Sequence, residues 1–143
     1  MSTDTRTVMA FDFGLRQIGV AVGNAELGTS QPLDILRAKD GQPDWTAVNV
    51  LVEEWRPDVL LVGDPLNMDG TESELSARAR RFGQRLHGRL GLPVEQVDER
   101  LTSFEAKQSS REQGHGGDYK RHPVDSVAAQ LILQTWLREQ GVT

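Results

Sequence analysis

Three acidic residues stand far apart in this chain, each beside apolar sequence. Asp12 lies in the run Val8-Met9-Ala10-Phe11-Asp12-Phe13-Gly14. Glu99 follows Leu92-Pro93-Val94-Glu95-Gln96-Val97-Asp98, and Asp125 heads Val124-Asp125-Ser126-Val127-Ala128-Ala129. Two of the three fall where strands should end and one where a helix should begin. Carboxylates brought together in this way hold hard divalent cations through oxygen. Paired ions of that kind activate a water and stabilise the leaving 3′-oxygen during attack on a phosphodiester. A fourth carboxylate, Asp64, follows Val59-Leu60-Leu61-Val62-Gly63. It is a further candidate metal ligand if its strand lies beside that of Asp12. The alternative is a bond from Asp64 to backbone amides of the Asp64-Pro65-Leu66-Asn67 turn.

Each string has a plainer reading when taken alone. Asp12-Phe13-Gly14 is also a hairpin turn whose Asp bonds its own backbone, although Gly14 would equally let the backbone approach a phosphate. Asp98-Glu99-Arg100 could be an exposed ion pair followed by a helix cap at Thr102 or Ser103. Asp125 could simply be favoured by the helix dipole.

The elements that must position these residues are legible from periodicity. Residues 7–13 and 18–23 read as two strands joined by a hairpin turn at 14–17, and Leu33–Leu36 as a short third strand before a loop at 40–43. Trp45, Val48, Leu51, Val52 and Trp55 recur at helical spacing, ending before Pro57. Residues 58–63 are continuously apolar apart from Asp58, which suits a parallel strand covered on both faces. A helix over about 71–90 carries Leu75, Ala79, Phe82, Leu86 and Leu90 inward. A strand at 93–98, a helix from Thr102 or Ser103 to about Gln113, a Gly-rich loop over 114–122 and a final helix over about 123–140 complete the chain. That last helix should turn Val124, Val127, Ala128, Leu131, Ile132, Thr135 and Trp136 inward. The order βββαβαβαα describes an α/β domain with a mixed five-stranded sheet and helices on both faces.

With 143 residues, the chain is expected to form one domain over 1–143. It has no cysteine, which excludes disulfides and thiolate metal sites. No apolar run is long enough for a bilayer span, and the N-terminus lacks an apolar signal core. A cytoplasmic protein without a membrane role is therefore expected. The net charge of -5 argues against general nucleic-acid binding, but it leaves room for a local basic face.

Four blocks together resemble one family. They are Asp12-Phe13-Gly14 with Ile18-Gly19-Val20-Ala21-Val22, then Gly63-Asp64-Pro65-Leu66-Asn67-Met68-Asp69-Gly70, then Asp98-Glu99-Arg100-Leu101-Thr102-Ser103, and finally Asp125-Ser126-Val127-Ala128-Ala129-Gln130-Leu131-Ile132-Leu133. They are similar, in order, to the motif blocks of the YqgF (RuvX-like) family. The resemblance covers nearly the whole chain and implies a ribonuclease H-like fold. It also implies a nuclease, either of the small-subunit ribosomal RNA precursor or of Holliday junctions. It makes Asp12, Glu99 and Asp125 the carboxylates that bind Mg²⁺ or Mn²⁺. The chain departs from the family at Asp64, where Leu is usual.

A basic face could hold the substrate, structured RNA or else branched or single-stranded DNA. Arg78, Arg81, Arg85 and Arg89 recur at gaps of three and four, forming one stripe beside the apolar one. A phosphate backbone could track that stripe. Arg16, Arg100, Lys120 and Arg121 lie close in sequence to the acidic motifs and are further candidate phosphate contacts. Two rival readings remain. One is a catalytically weak nucleic-acid-binding or ribosome-assembly module on the same fold, and the other is an actin-like phosphotransferase fragment lacking its second lobe. A homodimer would be needed if the substrate were a four-way junction, which presents two equivalent strands.

Overall fold

The computed structural model describes residues 6–98 and 124–140, the latter with side chains from Val127 onward. Strands β1 (Thr7–Asp12), β2 (Gln17–Asn24), β3 (Thr29–Lys39) and β4 (Gln42–Pro43) come first. Helix α1 (Trp45–Trp55), strand β5 (Val59–Asp64), helix α2 (Glu74–Leu90), strand β6 (Val94–Asp98) and helix α3 (Val124–Glu139) follow. The predicted helix within 102–113 lies outside the described residues.

The strands form one mixed sheet in the order β4-β3-β2-β1-β5-β6. The expected five strands are thus six. Polar residues at the expected 40–43 loop hide a two-strand ladder in which Ala38 pairs with Pro43 and Lys39 with Gln42. The third strand is also far longer than Leu33–Leu36. Among its residues only Leu36 is buried, so its apolar signal is short although its backbone pairs along the whole of β2. Pro32 cannot donate to a ladder, and the β2–β3 register shifts opposite it, between Val20 and Ala21.

β1 pairs antiparallel with β2 and parallel with β5, and β5 pairs parallel with β6. The C-terminal ends of β1, β5 and β6 therefore share one rim. Gly14 turns the chain there. An added Cβ would stand 2.5 Å from the Gln17 carbonyl oxygen, so the hairpin itself needs glycine here.

Alternation along the strands separates two cores. Met9, Phe11, Ile18, Leu60 and Val62 pack with Val48 and Leu51 of α1 and Ala79, Phe82 and Leu86 of α2. Val8, Ala10, Val59, Leu61 and Val97 pack with Ile132, Leu133, Trp136 and Leu137 of α3. Helix α2 starts later than expected because Ser73 is its N-cap, accepting from the Ser76 N–H. Leu75, counted among its inward residues, is 36% exposed in the first turn. In α3 the inward line is rotated from the expected one: Ala129, Leu133 and Leu137 join Ile132 and Trp136, while Val127, Ala128, Leu131 and Thr135 are half-buried. No helix among the described residues is long and apolar enough to cross a membrane.

Candidate active site

Asp12 is half-buried at the last position of β1. It continues the alternation of Val8 and Ala10, which face α3. On β6 the same side is marked by Val97 in the α3 core and by Glu95, whose Oε1 accepts from Trp136 Nε1 at 2.9 Å. Glu99 is two residues beyond Val97 in sequence and lies outside the described residues. Asp125 belongs to the first turn of α3, the helix that covers this face, but its side chain lies outside them too. Arg100, Lys120 and Arg121 also lie outside. Among the described residues no three His, Asp or Glu side chains form a metal-sized cluster. The described donor that fits Mg²⁺ or Mn²⁺ is the Asp12 carboxylate, a hard oxygen ligand at the sheet rim.

Asp64 reaches the same rim but turns to the other face. As the last residue of β5 it follows Leu60 and Val62 toward α2, and it is 3% exposed. Its Oδ2 accepts from Arg80 Nε at 2.9 Å and lies 2.8 Å from Nη2, a two-pronged contact. Arg80 Nη1 also donates to Glu72 Oε2 at 2.8 Å. The hydrogen bond to Asp64 and the charge of that carboxylate hold the Arg80 guanidinium above its usual pKa; desolvation opposes them, and the charge of Glu72 adds a smaller push in the same direction. The amide-bonded turn expected of Asp64 is therefore replaced by an ion pair, and its carboxylate stands on the sheet face opposite Asp12. The helical period shows only that Arg80 stands apart from the other arginines: it is two positions from Arg78, about 200° around the helix.

The pair makes a testable asymmetry. Asp64→Leu should be tolerated, because an apolar side chain suits the site and Arg80 can turn to solvent and Glu72. Arg80→Ala should lower the melting temperature more, because it leaves a buried carboxylate without its cation. Thermal unfolding of the two variants side by side checks the order, and equal melting points would refute it.

The arginine stripe divides in two. Arg78 donates to Asp40 at 3.0 Å, and the Arg89 guanidinium lies 4.3 Å from the Trp45 ring centre. Arg81 and Arg85, one helical turn apart, are exposed and make no ion pair among the described residues. Arg16 is exposed in the β1–β2 turn at the rim.

The RuvX family model, described as Holliday junction resolvase, matches residues 6–139. A Marinobacter nauticus protein named "Putative pre-16S rRNA nuclease" is 58% identical over 136 residues, covering 95% of each chain. An Azotobacter vinelandii protein of the same name is 57% identical over 135 residues, covering 94% of this chain and 95% of its own. Among solved structures, T. thermophilus RuvC in complex with a Holliday junction substrate aligns over 96% of this chain and 98% of its own, at 16% identity and a TM-score of 0.54. The yeast mitochondrial Holliday junction resolvase Ydc2 aligns over 96% of this chain and 80% of its own, at 13% identity and a TM-score of 0.53. At such identities these two likenesses are of fold, the ribonuclease H-like one. The sequence matches reach further, for they span nearly the whole chain at high identity: the chain belongs to the RuvX family.

Proposed function

We propose that this protein is a divalent-metal-dependent nuclease that hydrolyses phosphodiester bonds in structured RNA, with the 16S ribosomal RNA precursor as its substrate. The observation that carries the reading is Asp12. It stands at the C-terminal end of β1, on the α3 face, at the rim shared with β5 and β6. Ligands of open α/β sheets gather at that rim. The relatives' names supply the substrate class. In this proposal Asp12, Glu99 and Asp125 hold Mg²⁺ or Mn²⁺. Support for the set is that Val97, two residues before Glu99, faces α3, and that Asp125 opens that helix. When bound, such ions activate water and stabilise the leaving oxygen. The chain's own part is to fix the carboxylates on a rigid rim and to hold the phosphate near them, with Arg16, Arg100, Lys120 and Arg121 as candidate cations. Asp64 is left out of the ligand set because Arg80 holds it on the other face.

The test is cleavage of matched 16S precursor RNA, linear DNA and a four-way junction with Mg²⁺ or Mn²⁺. Preferred cutting of the RNA supports the proposal. Preferred symmetric cutting of the junction by a dimer would replace it with the resolvase reading. Binding without cleavage under both metals would replace it with an assembly module.

Arg81 and Arg85 serve affinity in this reading rather than chemistry. Each phosphate contact contributes about 0.7–0.9 to the slope of log affinity against log salt. Arg81→Ala with Arg85→Ala should therefore flatten that slope by about 1.5 and weaken RNA binding, with little change in turnover at saturation. An unchanged slope in a salt titration would return this helix face to solvent.

A further inference from the structure

Strand register places two more cations on the face that carries Asp12. Phe11 and Phe13 pack in the core under α1 and α2, so Asp12 between them takes the α3 face. Ile18 of β2 pairs with Leu36 of β3, and both belong to that same core, with Ala38 packed against it. Gln17 and Gly19 of β2, and Ile35, Arg37 and Lys39 of β3, therefore take the Asp12 face. The rows run straight across the sheet. Asp12 pairs with Gly19 and Gly19 with Ile35, and the next row toward the rim is Gln17 with Arg37. Neighbouring strands lie about 4.8 Å apart, and alternate residues of one strand about 6.8 Å apart. The Cα of Arg37 is thus roughly 12 Å from that of Asp12, and Lys39 follows about 6.8 Å further along β3.

This corner of the sheet is tied together by its backbone. Ala38 N donates to Arg16 O at 2.8 Å and Gly41 N to Leu15 O at 2.9 Å, which joins the β1–β2 turn to the end of β3. A Cβ added to Gly41 would stand 2.8 Å from Cζ of Phe13, the residue after Asp12. Helix α3 covers the opposite end of these strands. Gln130 Nε2 donates to Ser30 O at 3.2 Å and Gln134 Nε2 to Ser30 Oγ at 3.1 Å. A Cβ on Gly23, the partner of Ser30, would stand 2.8 Å from Leu133 Cδ2. At the rim end Arg37 and Lys39 are exposed, and neither makes an ion pair among the described residues. Cations on an edge strand also discourage pairing with another chain. Here β4 already pairs with Ala38 and Lys39, so that edge needs no such guard.

We propose that Arg37 and Lys39 form a phosphate track that carries one flank of the RNA strand from the Asp12 rim out across β2 and β3, holding two successive phosphates on one side of the scissile one. Both cations stand on the face that bears Asp12, and their spacing along β3 suits successive phosphates of an extended strand. Contacts of this kind fix the register of a nucleic acid without reading its sequence. The track lies across the sheet from Arg81 and Arg85 of α2. The proposal deepens the nuclease reading and rests on it.

The probe is a fragment of 16S precursor RNA whose cleavage site by the wild-type protein has been mapped, and binding is measured in chelator. Arg37→Gln with Lys39→Gln should weaken binding and lower the slope of log affinity against log salt by about 1.4, the share of two single-strand phosphate contacts. Arg37→Lys with Lys39→Arg keeps both charges and should keep the slope. RNA trimmed to the scissile phosphate on one flank should bind the wild-type protein and the double Gln variant alike. Trimming the other flank should leave their difference intact, as expected when the coupling is local to one flank. An unchanged slope, or the same loss whichever flank is trimmed, would overturn the track, while cleavage by the wild-type protein leaves the nuclease reading standing. A lower melting temperature with unchanged RNA affinity would likewise overturn it and assign the pair to the sheet edge. Failure of the wild-type protein to cut the RNA would overturn the nuclease reading and the track with it.

Discussion

Asp12→Asn is expected to lower cleavage of the 16S precursor by at least about a hundredfold, the scale of losing one preorganised electrostatic group from a reacting centre. Asn keeps the shape of Asp but replaces a charged, two-oxygen ligand with one neutral carbonyl, a poor match for a hard dication. The fold should survive, because Asp12 is only half-buried at a strand end and its backbone pairing with Gly19 is independent of the side chain. If Glu99 and Asp125 do gather near it, the metal-free protein should melt at the same temperature as wild type or higher, since one of several mutually repelling charges is gone. Initial rates with Mg²⁺ and with Mn²⁺, set beside melting curves in chelator, measure both parts. Near wild-type turnover in a folded Asp12→Asn protein would remove Asp12 from the site.

Where the chain is continuously apolar, the sequence reading and the fold coincide. β1 and β5 are interior strands of the sheet and are buried on both faces, so their composition alone marks them, and with them the strand end that carries Asp12. Legibility fades toward the sheet edge. β3 exposes most of its residues, and its pairing rests on backbone bonds that leave little trace in residue type. The helices were visible as periods but not as phases. A stripe of apolar residues gives the inward direction only to within about one residue, 100° of rotation, and this is why Leu75 and the inward line of α3 were displaced. Asp64 shows the deeper limit. Strand position told which rim it reaches, but its partner lies sixteen residues later on a helix, and only the packing of α2 against β5 brings Arg80 to it.

Phe82→Ala should cost about 3–5 kcal/mol of folding stability, the usual range for emptying a buried aromatic site. Phe82 is 1% exposed on the inner face of α2. Its ring centre lies 5.8 Å from that of Phe11, 5.3 Å from that of Phe13 and 6.0 Å from that of Trp45. Each such contact adds roughly 0.5–1.5 kcal/mol beyond the area buried. Alanine would therefore forfeit contacts to β1, to the turn just after Asp12 and to α1 at once. Against a whole-domain stability of about 5–15 kcal/mol this is a large fraction. Urea unfolding should show a lower midpoint with an unchanged slope, as for a loss of stability without a change in the surface exposed. The functional consequence follows from what Phe82 joins. It braces Phe13, next to Asp12, against the helix that presents Arg81 and Arg85. Cleavage by the variant should therefore fall off at a lower temperature than in wild type, in step with its unfolding curve. A cost below about 1 kcal/mol, within the range of ordinary surface changes, would mean that α2 is held to the sheet by other contacts and that this aromatic cluster does not support the rim.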